Sequence, residues 1–244
     1  MSKFSVIIPA AGKAERFGGE GNKTLAKLNG RPIFIRSVEH FINRNDVCQI
    51  ILAVAPEDAE KMKSSYGANL GFMGVKLVEG GAMRCDTVAA ALQVLSDEAE
   101  YVAVHDAVRP CVTADMIDAV FAEAVKSGAA ILAAPITGTL KRVGESKVID
   151  ETVTRTGFYE AQTPQVFRKD LLLDAYARLE GGTGEMTDDA QVVEQAGHPV
   201  SVVISDPTNL KITTKADMTL ANAILKARPV KRTPKMGAFE EAQW

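Results

Sequence analysis

Ser5-Val-Ile-Ile-Pro-Ala-Ala-Gly12-Lys-Ala-Glu-Arg16-Phe-Gly-Gly-Glu-Gly-Asn-Lys23 decides how the chain is read. A short apolar run rich in β-branched residues breaks at Pro9 into small residues and glycines, which predicts a first buried strand of a parallel sheet feeding a loop. Beyond Pro9, the small side chains of Ala10, Ala11 and Gly12 let backbone N–H groups approach an anion closely. Arg16 and Lys23 bring cations to the same loop. Together they suggest a cradle for a triphosphate. The loop is no Walker A motif, because Asn22 precedes Lys23 and no glycine stands five residues before that Asn. Nor is it a dinucleotide fingerprint, since Ala14 stands where a second glycine is needed. A surface loop with two solvated cations is the plainer alternative.

Outward from this stretch, strand and helix patterns alternate. Pro32–Arg44 has helical spacing, 49–55 reads as a second buried strand, and Pro56 starts a helix that gives way to a turn over Gly67–Gly74. A strand over 75–78, a helix over Arg84–Leu95, a strand over 101–105, a helix capped by Thr113 and a strand over 129–135 follow. Helices over 169–179, 187–196 and 216–227 and a strand over 200–204 complete the pattern. This rhythm predicts βαβ units, a mainly parallel sheet with helices on both faces, and a Rossmann-like α/β fold. The rhythm breaks at Thr139–Val153, where two short strands around Gly144-Glu-Ser form a hairpin with no helix behind it. An isolated hairpin is marginal in water, so an arm over about 138–163 calls for a partner surface. Residues 1–227 read as one domain, and 228–244 as a poorly ordered tail.

Composition narrows the function. A formal charge of −3 and a pI near 5.7 argue against a nucleic-acid platform. Cys48, Cys85 and Cys111 are scattered without metal spacing, as expected of reduced residues in a cytoplasmic protein. His40, His105 and His198 are equally isolated, so neither a zinc site nor a Ser-His-Asp triad is supported. A strand begins too early to leave room for a signal peptide, and no apolar stretch reaches the ~18 residues that would suggest a membrane span.

The chemistry-bearing residues sit where strands end. His105-Asp106-Ala-Val-Arg109-Pro110 follows a buried strand on the same sheet edge as the anion loop. Asp106 could merely cap the next segment; opposite a triphosphate it is a natural ligand for Mg²⁺. Arg109 could hold that aspartate or a second phosphate. Gly80-Gly81-Ala-Met-Arg84-Cys-Asp-Thr87 is a second strand-to-helix turn, and Lys211 places a cation after the last strand.

Taken in order, several motifs resemble one family. They are Pro9-Ala-Ala-Gly12…Arg16…Lys23, Gly80-Gly81…Arg84…Thr87, His105-Asp106-Ala-Val-Arg109-Pro110, Thr139…Lys141, Arg155…Thr163-Pro-Gln-Val-Phe167, Thr187-Asp188 and Asp206-Pro-Thr-Asn209-Leu-Lys211. The chain is similar to 2-C-methyl-D-erythritol 4-phosphate cytidylyltransferases to about residue 226. It departs from them at Ala14, where Gly is common, and at Thr24-Leu25, where Gln and an aromatic residue usually follow the lysine. The resemblance implies transfer of a cytidylyl group from CTP to methylerythritol phosphate, with release of pyrophosphate. It implies catalytic roles for Arg16, Lys23, Asp106 and Lys211. Pro9 to Gly12, Gly80, Gly81, Arg84 and Thr87 would hold the nucleotide, with Gly80-Gly81 reading cytosine. Arg109, Thr139, Arg155, Thr163 and Thr187 would hold the acceptor. Mg²⁺, held mainly by phosphates near Asp106, and a homodimer through the arm are further implications. A ribitol 5-phosphate cytidylyltransferase, another sugar-phosphate nucleotidyltransferase and a non-catalytic nucleotide-binding regulator are the rival readings. The full charge set argues against the last.

Overall fold

A computed structural model describes residues 2–11, 23–81, 83–179 and 186–228. Strand β1 (Phe4–Pro9) buries Val6 and Ile8 in one hydrophobic cluster and Ile7 in another, so successive side chains serve opposite faces of the sheet. A single 3-10 turn at Lys23–Leu25 leads into a small antiparallel pair, β2 (Lys27–Leu28) and β3 (Arg31–Pro32). Then follow α1 (Ile33–Glu39), β4 (Val47–Val54), α2 (Pro56–Phe72), β5 (Val75–Glu79), α3 (Arg84–Leu92) and β6 (Tyr101–Val104). The middle of the chain supplies α4 (Ala114–Ser127), β7 (Ala129–Pro135), β8 (Leu140–Val143) and β9 (Ile149–Val153). Strand β10 (Tyr159–Arg168), α5 (Lys169–Ala177), α6 (Asp189–Gln195), β11 (Ser201–Ile204) and α7 (Lys215–Ala227) complete it.

Seven strands form one sheet in the order β11-β7-β10-β6-β1-β4-β5. Strands β1, β4, β5 and β6 pair in parallel, as do β7 and β11, while β10 runs antiparallel to both its neighbours. Helices α1, α2 and α4 cover one face through residues such as Phe34, Met62 and Ile117; α3, α5 and α6 cover the other through Val88, Leu172 and Val193. Full burial of such a side chain contributes about 1.5–3 kcal/mol, which is why the apolar runs become central strands. A third cluster ties Ile212 and Ala221 to Leu28, Ile33, Val108 and Cys111. It packs α7 beside the 105–110 loop.

Three local expectations are corrected. The turn expected over 67–74 is the last stretch of α2, which runs through Gly67 and Gly71 to Phe72. Leu70 is buried and anchors that stretch, and the helix stops at Gly74, whose φ of +67° suits glycine. The helix expected over 32–44 is confined to Ile33–Glu39. Strand β10 has no counterpart in the sequence pattern and overlaps the far end of the arm expected over 138–163. Its polar Gln162, Thr163 and Gln165 and its Pro164 disguise a strand that lies between β6 and β7. The register breaks between Ala161 and Gln165, which lets Pro164 sit in a central strand without a ladder bond. The hairpin itself is present: β8 and β9 form a separate two-stranded sheet, with Val143, Val148 and Ile149 exposed. The expected tail lies outside the described residues except for Arg228, whose guanidinium bonds the Cys111 carbonyl and, at 3.4 Å, Thr208 Oγ1.

Candidate active site

Strand order reverses direction between β6 and β1: the chain steps outward from β1 to β4 and β5, then crosses back to β6. Ligands in open α/β sheets bind at the carboxyl ends of strands at such a point. The backbone keeps this end tight. Ala10 N–H donates to Ala53 O at 2.7 Å, and His105 N–H to Ile7 O at 2.9 Å. A cavity of about 280 Å³ opens there, lined by Pro9, Ala10, Ala11, Lys23, Arg84, Thr87, Asp106 and Lys211 among the expected residues. Thr24, Met83 and Val108 also line it and were not foreseen. Gly12, Ala14 and Arg16 lie outside the described residues.

Asp106 is the electrostatic centre. Lys211 Nζ stands 2.8 Å from its Oδ2, and the Nε atoms of Arg84 and Arg109 each stand 3.4 Å from one of its oxygens. Burial pushes the carboxyl up, but Arg84, then Lys211 and Arg109 outweigh it and hold Asp106 far below the usual carboxylate range. Lys211 reaches it because Ile212 N–H donates to Val108 O at 2.9 Å, pinning the 206–212 segment against the 105–110 loop. Asn209 Nδ2 donates to Thr163 O at 2.8 Å and fixes the same segment to β10. Arg109 is almost wholly buried: its Nη1 donates to Asn209 O at 2.7 Å and its Nη2 to Ala161 O at 3.3 Å. The guanidinium therefore braces Asp106 and the two segments beside it.

His105 is fully buried, and its hydrogen bonds define its tautomer. Nε2 lies 3.1 Å from Arg109 O, a carbonyl that only accepts, so Nε2 carries the proton. Nδ1 then accepts from the Thr163 hydroxyl at 3.1 Å, while that hydroxyl accepts from Asp106 N–H at 3.0 Å. Burial pushes the imidazole down to about 3. His105 is a structural strut with both nitrogens engaged. Thr163, expected at the acceptor, is buried and holds the Asp106 backbone.

The Gly80-Gly81 turn shows why glycine is required. A Cβ on Gly80 would lie 2.6 Å from Thr87 Cγ2, and one on Gly81 would lie 2.3 Å from Asp86 Cβ. The family resemblance implies a turn that approaches a base; in the structure this turn packs on the start of α3. Thr87 Oγ1 donates to Met83 O at 3.0 Å and accepts from Gly81 N–H at 3.3 Å, closing the turn. Arg84, the first residue of α3, projects from it with Nη1 2.8 Å from Asp189 Oδ2. Asp189 is fully buried and also accepts from Tyr176 OH at 2.6 Å. Neither Asp189 nor Tyr176 was singled out from sequence. An Asp two residues after Thr187 carried a signal only through its place beside a helix cap.

The remaining acceptor candidates do not line the cavity. Thr187 Oγ1 donates to Gln191 Oε1 at 3.0 Å, Thr139 is exposed before the hairpin, and Arg155 bonds the Thr137 carbonyl at the hairpin's foot. No group of three or more His, Cys, Asp or Glu that could hold a metal occurs among the described residues. Mg²⁺ is usually bound through one or two carboxylates plus substrate phosphates; here it would have to be held mainly by the phosphates, because Asp106 already has Arg84 on Oδ1 and Arg109 and Lys211 on Oδ2. Asp106 supplies one carboxylate, ionised and facing the cavity.

Comparison with known proteins gives the family. The family model for 2-C-methyl-D-erythritol 4-phosphate cytidylyltransferase (IspD) matches residues 4–227. The cytidylyltransferase of that name from Rhodopirellula baltica is 46% identical over 236 residues, covering 92% of this chain and 95% of that protein. The one from Symbiobacterium thermophilum is 40% identical, covering 91% and 92%. The crystal structure of the Thermus thermophilus enzyme superposes with a TM-score of 0.77 at 34% identity, covering 93% of this chain and all of that one. With a mostly parallel sheet, a cation-lined cleft at its reversal point and matches over nearly its whole length, the chain belongs to the 2-C-methyl-D-erythritol 4-phosphate cytidylyltransferase family.

Proposed function

We infer that the protein joins CTP to 2-C-methyl-D-erythritol 4-phosphate, giving CDP-methylerythritol and pyrophosphate. One observation carries the reading beyond family membership: an ionised Asp106, braced from behind by the buried Arg109, pairs with Arg84 and Lys211 in the wall of an anion-sized cavity that Lys23 also lines. Such a site manages phosphate charge. The described histidine and cysteines near it are poor nucleophiles, because His105 is locked and burial pushes the Cys85 and Cys111 thiols up. None is needed, since the attacking group is a phosphate oxygen already largely ionised near neutral pH.

The chain's work is alignment and charge stabilisation. Lys23, with Arg16, takes up charge as pyrophosphate departs, and Lys211 is held by Asp106 toward the α-phosphate. The small residues Pro9 to Ala11 let the phosphates approach the backbone, while the Gly80-Gly81 turn and Thr87 shape the base side. Asp106, together with the substrate phosphates, would hold a Mg²⁺ ion, which would supply further neutralisation of phosphate charge.

Thr139 and Arg155, at the two ends of the hairpin, do not line the cavity of their own chain, and the hairpin's apolar residues are exposed. A two-fold homodimer answers both facts. The arm docks on the second subunit and carries Arg155 to the partner's acceptor site. Three free cysteines support a reducing, cytosolic setting.

Pyrophosphate release, measured with four nucleotides against a panel of polyol phosphates, tests the reaction. CTP with methylerythritol phosphate should give the highest kcat/KM. A clear preference for ribitol phosphate, or for another base, would overturn the assignment.

A further inference from the structure

We propose that Asp189, seated by Tyr176, is a positioning residue for this transfer reaction: it takes up Arg84 so that Asp106 remains with Lys211. The proposal rests on the cytidylyl-transfer reading above. Its structural basis is a relay of side chains from separate segments. Tyr176 on α5 donates to Asp189 Oδ1 at 2.6 Å, and Asp189 Oδ2 lies 2.8 Å from Arg84 Nη1. Arg84 Nε in turn lies 3.4 Å from Asp106 Oδ1, and Lys211 Nζ lies 2.8 Å from Asp106 Oδ2.

The distances rank the pairings. Arg84 is nearer Asp189 than Asp106, and Asp106 is nearer Lys211 than Arg84. The Arg84–Asp189 contact is an ion pair off the hydrogen-bond axis, since neither Nη1 nor Oδ2 has an aligned partner. Asp189 is fully buried and has been given a rigid seat. Gln165 Oε1 accepts from the N–H groups of Asp189 and Ala190 at 3.0 Å each, and Asp188 caps the helix through Gln191 N–H. A buried carboxylate so fixed costs desolvation and needs a partner of opposite charge. Arg84 meets that need, and the same ion pair orients it. Without Asp189, the planar fork of Arg84 has Asp106 as its nearest described carboxylate, and a fork pairs with a carboxylate bidentately. Arg84 would then compete with Lys211 for Asp106, and Lys211 would lose the contact that aims it.

Asp189→Asn, Tyr176→Phe, Arg84→Met and the Asp189→Asn/Arg84→Met double variant test this in the full-length chain. Pyrophosphate release is followed per folded molecule, with folding checked by urea denaturation. Asp189→Asn should lower kcat by about 10- to 100-fold while KM for CTP moves less, and Tyr176→Phe should lower kcat by a few fold. In the Arg84→Met background, Asp189→Asn should cost less than about twofold more, because the lost effect passes through Arg84. Wild-type kcat in a folded Asp189→Asn protein, or losses that multiply in the double variant, would overturn the positioning role. Should Asp189→Asn not fold, the Tyr176→Phe/Arg84→Met pair runs the same cycle with the same criteria. The wild-type assay separates the two readings: no turnover there refutes the reaction, whereas normal turnover with an unaffected Asp189→Asn refutes only the relay.

Discussion

Lys23 and His105 illustrate how differently two polar residues of one site are used. Lys23 faces the cavity, where charge appears as pyrophosphate leaves. Lys23→Ala should therefore lower kcat by ~10²–10³-fold with a smaller change in CTP affinity. Steady-state kinetics set beside calorimetric titration would show this, and near-normal turnover would remove Lys23 from the mechanism. His105 is kept neutral by burial, its pKa falling from 6.5 to about 3. Between those values the unfolded chain binds a proton that the native chain refuses, so stability must fall as the pH drops below about 6.5. One such proton is worth about 1.4 kcal/mol per pH unit. His40, also pushed down by burial, adds to the slope. Urea unfolding at pH 6.5, 5.5 and 4.5 should show this loss, and His105→Gln should flatten the slope by about one proton. An unchanged slope would mean that His105 titrates normally in the fold.

At the scale of elements, the start of α3 and the hairpin carry opposite kinds of risk. The Gly81 turn is packed so closely on Asp86 that Gly81→Ala should move the helix start and, with it, Arg84. Both CTP affinity and thermal midpoint should drop together. The resemblance alone leads one to expect Gly81→Val to obstruct the nucleotide and spare the fold, so a fall in affinity at unchanged midpoint would restore that simpler view. The hairpin makes few demands on its own chain and exposes apolar residues. If the arm supplies Arg155 in trans, Lys23→Ala and Arg155→Ala homodimers should both be nearly inactive. A mixed dimer should have one intact site, and random reassortment makes half the dimers mixed. Refolding an equal mixture should thus return roughly a quarter of wild-type activity. Verified heterodimers without regained activity would place Arg155 in its own subunit's chemistry.

Over the whole molecule, what was legible follows a physical divide. The parallel strands were readable because burial on both faces forces continuous apolar runs such as Val6 to Ile8 and Ile50 to Val54. Lys23, Arg84, Asp106 and Lys211 were readable because they stand just beyond such runs or beside glycine turns. Strand β10 was not readable, because its polar side chains find partners in segments distant in sequence: Gln162 Nε2 donates to Asp206 O, and Gln165 bonds the start of α6. Nor was the burial of Arg109, whose partners Asn209 and Ala161 lie far along the chain. A local pattern records hydrophobic periodicity well and polar satisfaction hardly at all.

The antiparallel placement of β10 also sets a timetable for biosynthesis. As the nascent chain leaves the ribosome, β1, β4, β5 and β6 can zip together first, leaving one long side of β6 without a neighbour. Strand β7 emerges next but pairs with β10 and β11, so it waits for residues 159–168. Asp106 meets Thr163 and then Lys211 only after most of the chain has been made. Nucleotide affinity should accordingly arrive late and abruptly, and the preceding intermediate should be the aggregation-prone one, because it exposes an apolar edge. Stalled chains of increasing length, assayed for CTP binding, should stay silent until residue 211 has cleared the exit tunnel. Binding by chains stalled before β10 would mean that the cleft assembles without its central strand.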